Sequence, residues 1–280
     1  MITPGEEEFI ARHAYVPEHL PGYGKVFSGG EPFLVEDFLC YLRGGTLILV
    51  GYPLKEPYDE KKMQAFLPEI VRRFRPSRVA LMAPSCSDPA GERKPADYYY
   101  RLDLRSARVP SKVKNMIHRA GRELRIEKSR EFRAVHQKLV DDFLGSKEVE
   151  EGTRIIFAKI GDYLSSVPTA WVFEARDSKG RLAGFDVADF TAQDYTFYLF
   201  NFRARPSPVP GTSDLLLQAL IRDAQELGKS FVNLGLGINE GVAFFKKKWG
   251  GRPFLRHEVI LFSPSRPSFW ESIVEGLLRR

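Results

Sequence analysis

Beyond Pro168 the apolar residues recur at every second position, in three stretches joined by turns too short for a crossover. Thr169–Ala175, Leu182–Phe190 and Tyr195–Phe202 have the length of strands, and Asp177-Ser178-Lys179-Gly180 and Thr191-Ala192-Gln193-Asp194 are turn sequences. Strands joined so tightly pair antiparallel. A three-stranded meander is therefore the element against which the rest of the chain has to pack.

After the meander the period changes. Ser213 to Leu227 is a strongly amphipathic helix ended by Gly228, Ser230–Leu236 a strand, Glu240–Trp249 a short helix and Glu258–Phe262 a last strand. An amphipathic tail runs from Phe269 to Leu278. Upstream, Ser111–Gly121 reads as a basic helix and Leu124–Glu127 as a short strand. A helix from Ser129 to Leu144 carries Phe132, Val135, Leu139, Val140 and Phe143 as its stripe, and a second runs from Ile155 to Leu164. In the first hundred residues Leu47–Tyr52 and Arg78–Ala83 are strands flanking a helix from Asp59 to Phe74, and a Pro-, Ser- and Gly-rich loop from Pro84 to Pro95 leads to a strand at Tyr98–Leu104. Such an order is α+β with a mixed, mostly antiparallel sheet flanked by helices.

At 280 residues, 43% apolar and 28% charged, the chain can bury two cores. No signal peptide heads it, and no run approaches the roughly 20 apolar residues of a transmembrane segment. Cys40 and Cys86 make no disulfide framework, and the five histidines show no zinc spacing, so the expectation is a cytoplasmic protein without a metal. The net charge of +6 sits in one place: Arg101 to Arg133 holds eleven Lys/Arg against four Asp/Glu. A local excess describes a site or a face, not the whole surface.

Two local sequences carry a resemblance. Phe231-Val232-Asn233-Leu234-Gly235 is followed by Gly237-Ile238-Asn239-Glu240-Gly241-Val242 and then by Phe245-Lys246-Lys247-Lys248-Trp249-Gly250-Gly251; Tyr100-Arg101-Leu102-Asp103-Leu104 precedes Lys114-Asn115-Met116-Ile117-His118-Arg119-Ala120. With the order of elements, these resemble the N-acetyltransferase-like superfamily, nearest the branch of Fem-type aminoacyltransferases and the lysyl-phosphatidylglycerol synthase domain. The resemblance implies two tandem acyl-CoA N-acyltransferase-like domains: a reduced copy over 1–110, a basic connecting helix over 111–123 and a second copy over 124–280. It implies transfer of an acyl or aminoacyl group to an amine on a small molecule or peptide. The donor would be acetyl-CoA or another acyl-CoA. The alternatives are an aminoacyl-tRNA donor, or a non-catalytic anion-binding protein on the same fold.

In that fold the strand at Tyr195–Phe202 parts from the one at Ser230–Leu236, and the donor's arm takes the exposed main chain. The resemblance places the acyl carbonyl near Phe200 and Phe202, with a backbone amide to polarise it. Gly211, Thr212 and Ser213 open the next helix, where Thr212 or Ser213 can cap, or free N–H groups can hold phosphate beside Arg205. Asp214 in that first turn would repel a pyrophosphate. Asn239 either caps the following helix or bonds the donor arm, with Phe245 nearby. Lys246 falls where the superfamily's helix carries a proton donor; a solvated basic face is the other reading of Lys246-Lys247-Lys248. Asp186 is the favoured general base among Asp186, Asp189, Glu174 and His257. Three residues apart, Asp186 and Asp189 point to opposite faces; Asp189 and His257 read as surface residues. The basic segment Lys112–Arg125 reads as a solvated connector, a tRNA contact or an anionic-lipid contact.

Overall fold

The structure, a computed structural model, describes residues 2–87, 91–106, 108–204 and 209–264. The tail at Phe269–Leu278 and Arg205 lie outside the described residues. One continuous sheet runs through the molecule. Its strands are β1 (Glu31–Val35), β2 (Phe38–Arg43), β3 (Thr46–Val50), β4 (Arg78–Ala83), β5 (Glu92–Arg93), β6 (Asp97–Asp103), β7 (Leu124–Ser129), β8 (Ala170–Asp177), β9 (Leu182–Asp189), β10 (Tyr195–Arg203), β11 (Phe231–Leu236) and β12 (Arg252–Phe262). Their spatial order is β1-β2-β3-β4-β12-β6-β11-β10-β9-β8-β7, with β5 beside β12. The pairs β3–β4 and β10–β11 are parallel and the others antiparallel.

The meander is present as β8–β9–β10, and the alternation of its residues sorts them onto two covered faces. On one face Phe173, Ala188, Tyr198, Val232 and Leu234 meet α4 (Ser111–Ala120) and α8 (Thr212–Glu226) through Val113, Ile117, Leu216, Leu217 and Leu220. On the other, Phe185, Val187, Phe200 and Phe202 meet α5 (Ala134–Gly145) and α7 (Ile160–Ser166) through Leu139, Val140, Ile160, Tyr163 and Leu164. The strand β12 belongs to both ends of the sheet. Its residues Arg252–His257 pair with β6 and Glu258–Phe262 with β4, so it fastens β1–β4 to the meander.

The helix expected at Ile155–Leu164 is two helices, α6 (Glu151–Ala158) and α7, broken at Lys159. The Lys159 ammonium leaves the helix direction to bond the carbonyl oxygens of Val26 (2.9 Å) and Phe27 (3.2 Å). Those residues belong to α2 (Pro21–Ser28), which comes after α1 (Pro4–His13). The α3 helix (Glu60–Phe74) starts at its Asp59 cap, whose carboxylate accepts from Lys61 and Lys62 N–H. Among the described residues no helix is long and apolar enough to cross a membrane, and no group of three or more His, Cys, Asp or Glu could hold a metal.

Candidate functional site

Pairing between β10 and β11 stops after three residues. Tyr195, Thr196 and Phe197 face Phe231, Val232 and Asn233, yet β10 runs on to Arg203 and β11 to Leu236. Two irregularities open the gap. In β10 the register against β9 slips between Tyr198 and Phe200; in β11 the register against β6 slips between Asn233 and Leu236. Gly235, at φ +76°, lets the β11 backbone turn within that slip. The main chain is thus released at Tyr198–Phe200, earlier than the neighbourhood of Phe202. The Phe200 and Phe202 side chains are buried on the α5 face, so only their backbone can serve the gap.

A buried lysine lies at the opening. Lys246, on α9 (Glu240–Lys248), is only 3% exposed, and its Nζ donates to the Leu236 carbonyl. It lies over Tyr100 and close to Gly235, 3.5 Å from where a Cβ would stand. Burial outweighs the attraction of Asp97 and brings its pKa from 10.5 down to about 7. The three lysines in the run therefore part company: Lys246 enters the core, Lys247 faces solvent, and Lys248 pairs with Asp214 at 2.7 Å.

The α9 helix is aimed by its own start. Asn239 caps it, its Oδ1 accepting from Val242 N–H at 3.0 Å, which is the capping alternative of the two offered by the sequence. Before it the Asp97 carboxylate accepts from Gly237 N–H (3.2 Å) and Ile238 N–H (2.7 Å), holding Ile238 at φ +58°. A β-branched residue there is strained. Phe245 is half-buried against the α8-side core, with the Lys248 ammonium 4.9 Å from its ring centroid.

The α8 N-terminus lies on the same face. Gly211 is its N-cap, at φ +87°, and no side chain caps the first turn. Thr212 and Ser213 are therefore not caps: the Thr212 hydroxyl donates to Val209 O (2.6 Å) and the Ser213 hydroxyl to Asn201 Oδ1 (3.0 Å). The basic helix α4 crosses so closely that a Cβ at Gly211 would stand 2.4 Å from the Met116 carbonyl oxygen. Asp214 repels little, because its carboxylate is matched by Lys248 and by Trp249 Nε1 (2.9 Å). The first-turn N–H groups remain without a side-chain acceptor.

Asp186 backs this arrangement. It faces α8, accepts from Asn201 Nδ2 at 2.5 Å, and lies beside the Tyr198 phenol. Asn201 in turn receives the Ser213 hydroxyl, so a polar chain links β9, β10 beyond its slip, and the first turn of α8. Burial without a cation pushes Asp186 well above the usual carboxylate range, which favours the protonated acid. Asp189 points to the opposite face, where it takes the Tyr163 hydroxyl at 2.5 Å; it is buried, not at the surface. His257 is buried as well, 2.9 Å from the Tyr52 hydroxyl. Glu174 is taken up by Arg133 (2.7 Å) and by Arg176.

No family model and no curated relative matches the chain by sequence. Solved structures do match. A domain described as the C-terminal domain of a putative lysylphosphatidylglycerol synthetase, from Agrobacterium fabrum, superposes with a TM-score of 0.62 at 15% identity, covering 99% of this chain and 97% of that one. FemX superposes with a TM-score of 0.62 at 11% identity, covering 100% and 99%. A tandem GNAT protein from the clavulanic acid biosynthesis pathway gives 0.50 at 14%, covering 82% and 79%. The fold is N-acetyltransferase-like. At these identities the fold is what is shared, along nearly the whole length of the first two.

Proposed function

We propose that this protein transfers an acyl or aminoacyl group to an amine, with the donor's arm lying in the gap between β10 and β11. The single observation that carries the reading is Lys246, a buried amine with its pKa near 7, bonded to main chain at the mouth of an opened strand pair. An amine that titrates near neutrality is better matched to moving a proton than to holding an anion, which calls for a permanent charge.

That placement sets the chemistry. An acceptor amine attacks the donor carbonyl, a carbon–nitrogen bond forms, and the oxygen gains negative charge. Main-chain N–H groups released at Tyr198–Phe200 are the donors that could meet it. Collapse breaks the bond to the leaving sulfur or oxygen, which needs a proton. Lys246, which titrates near neutrality, takes the proton that the attacking amine sheds and passes it to that leaving atom. Asp186 holds Asn201, which receives Ser213, and so ties β10 beyond its slip to the first turn of α8. An acyl-CoA would place its phosphates against the uncapped first turn of α8, at Gly211, Thr212 and Ser213.

A tRNA ester is the second donor, and one observation favours it. Lys112, Lys114, His118, Arg119, Arg122 and Arg125 are all exposed on or beside α4, the helix that crosses the α8 N-terminus. A polyanion could lie along that face and deliver its end to the gap. We further read residues 1–110 as the reduced first copy of the fold and residues 111–123, with α4, as the connector. Native mass spectrometry of the purified protein with acetyl-CoA, and separately with aminoacyl-tRNA, tests the donor. Binding of one to the wild type, with formation of an amide when amines are added, is the expected result. Failure of both to bind would remove the transferase reading.

A further inference from the structure

One carboxylate lies at the same opening, on the face away from Lys246. Leu236 of β11 is the register partner of Tyr99 of β6. From the α8 side Lys246 bonds the Leu236 carbonyl, and from the other side the Tyr99 hydroxyl donates to Glu18 Oε2 at 2.8 Å. Glu18 comes from the short turn Pro17–His19 ahead of α2, which is anchored by the Tyr41 hydroxyl on the Glu18 carbonyl (2.8 Å) and on the Leu20 carbonyl (3.0 Å).

The surroundings of this carboxylate are aromatic and uncharged. Tyr23, Tyr41, Tyr52 and Tyr99 all feel its charge. The nearby imidazoles offer no counter-charge: burial brings both His19 and His257 down to about 4, and His19 Nε2 donates to Tyr52 O at 2.8 Å. No described lysine or arginine pairs with Glu18, and burial raises its pKa. The residue as a whole is nevertheless partly exposed. A carboxylate has about four acceptor sites, and a desolvated one without a cation is costly. A carboxyl group set among tyrosines, bonded by the Tyr99 hydroxyl and without a cation beside it, has the chemistry to receive an ammonium group, by charge-assisted hydrogen bonding and by the ring faces.

We infer that Glu18 is the acceptor-binding residue, holding the ammonium of the incoming amine on the side of the sheet opposite the donor, with Tyr99 fixing the carboxylate. The inference rests on the proposed transfer reaction for the identity of the amine, but binding can be measured without it.

The test uses n-hexylammonium as probe and 1-hexanol as its uncharged counterpart, titrated into the whole protein and into Glu18→Gln at neutral pH. The expected result is tighter binding of hexylammonium than hexanol by the wild type, and about tenfold weaker hexylammonium binding by E18Q with hexanol unchanged. Equal binding of hexylammonium by both proteins, or no preference over hexanol in the wild type, overturns the inference. If E18Q does not fold, the wild type carries the test: hexylammonium, but not hexanol, shields Glu18 from carbodiimide coupling, read by peptide mass, and coupling unaffected by hexylammonium overturns it. Acetyl-CoA and aminoacyl-tRNA are titrated in parallel. If neither binds while the amine does, the transfer reading falls and Glu18 remains an ammonium-binding residue.

Discussion

Replacing Lys246 with methionine should make the protein more stable at neutral pH while removing the proposed transfer. The folded protein holds the Lys246 proton only below about pH 7, whereas an unfolded lysine holds it up to about 10.5. Carrying the charge in the folded state therefore costs about 5 kcal/mol, at roughly 1.4 kcal/mol per pH unit. Between these limits the unfolded chain binds more protons, so this residue's contribution to stability falls as pH drops from 10.5 towards 7. Methionine has nearly the same length and no proton to bind. It forgoes the bond to the Leu236 carbonyl, worth about 1 kcal/mol. Denaturant unfolding at a series of pH values from 7 to 9.5 measures both proteins. The stability of K246M relative to wild type should decline by about 3 kcal/mol from the acid to the alkaline end. A difference constant with pH would show that Lys246 titrates normally, and the part proposed for it in proton transfer would then have no physical basis.

Two other substitutions probe buried groups in the same way. Asp186→Asn mimics the protonated acid that burial favours, so its unfolding free energy at pH 7 should lie within about 1 kcal/mol of wild type; a loss of about 3 kcal/mol or more would mean the site holds a carboxylate anion. His257, held near 4 by burial, contributes stability present above its unfolded pKa of about 6.5 and lost as pH falls towards 4. His257→Asn should shrink the loss between pH 7 and 4 by about 3 kcal/mol, measured by the same unfolding series, and an unchanged acid limb would refute it.

The sequence carries some parts of this structure more openly than others. The meander is legible because β8, β9 and β10 are covered on both faces, by α8 and by α5, which keeps them apolar and aromatic between two tight turns. The first 28 residues are opaque, since α1 and α2 bury only Ile10 and Phe27 fully and have no stripe to read. The beginning of β12 is hidden for a related reason: Arg252 to Leu255 includes a proline and no fully buried residue, and its strand character comes from pairing with β6, far away in sequence. Lys246 is readable as a candidate only through the resemblance, because a lysine in a run of three gives no local sign of which one turns inward. Asp189 and His257 look like surface residues until Tyr163 and Tyr52 meet them, 26 and 205 positions distant. Glu18 gives no local signal at all; its partner Tyr99 is 81 residues away.

Hydrogen–deuterium exchange with bound donor probes the opened strand pair most directly. Saturating acetyl-CoA, or an aminoacyl-tRNA with a non-hydrolysable linkage, should slow exchange of the main-chain amides over 198–203 and 234–237 while leaving those of β8 unchanged. A donor that binds tightly yet leaves exchange over both segments as it was would place it elsewhere on the molecule and contradict the gap between β10 and β11 as its site.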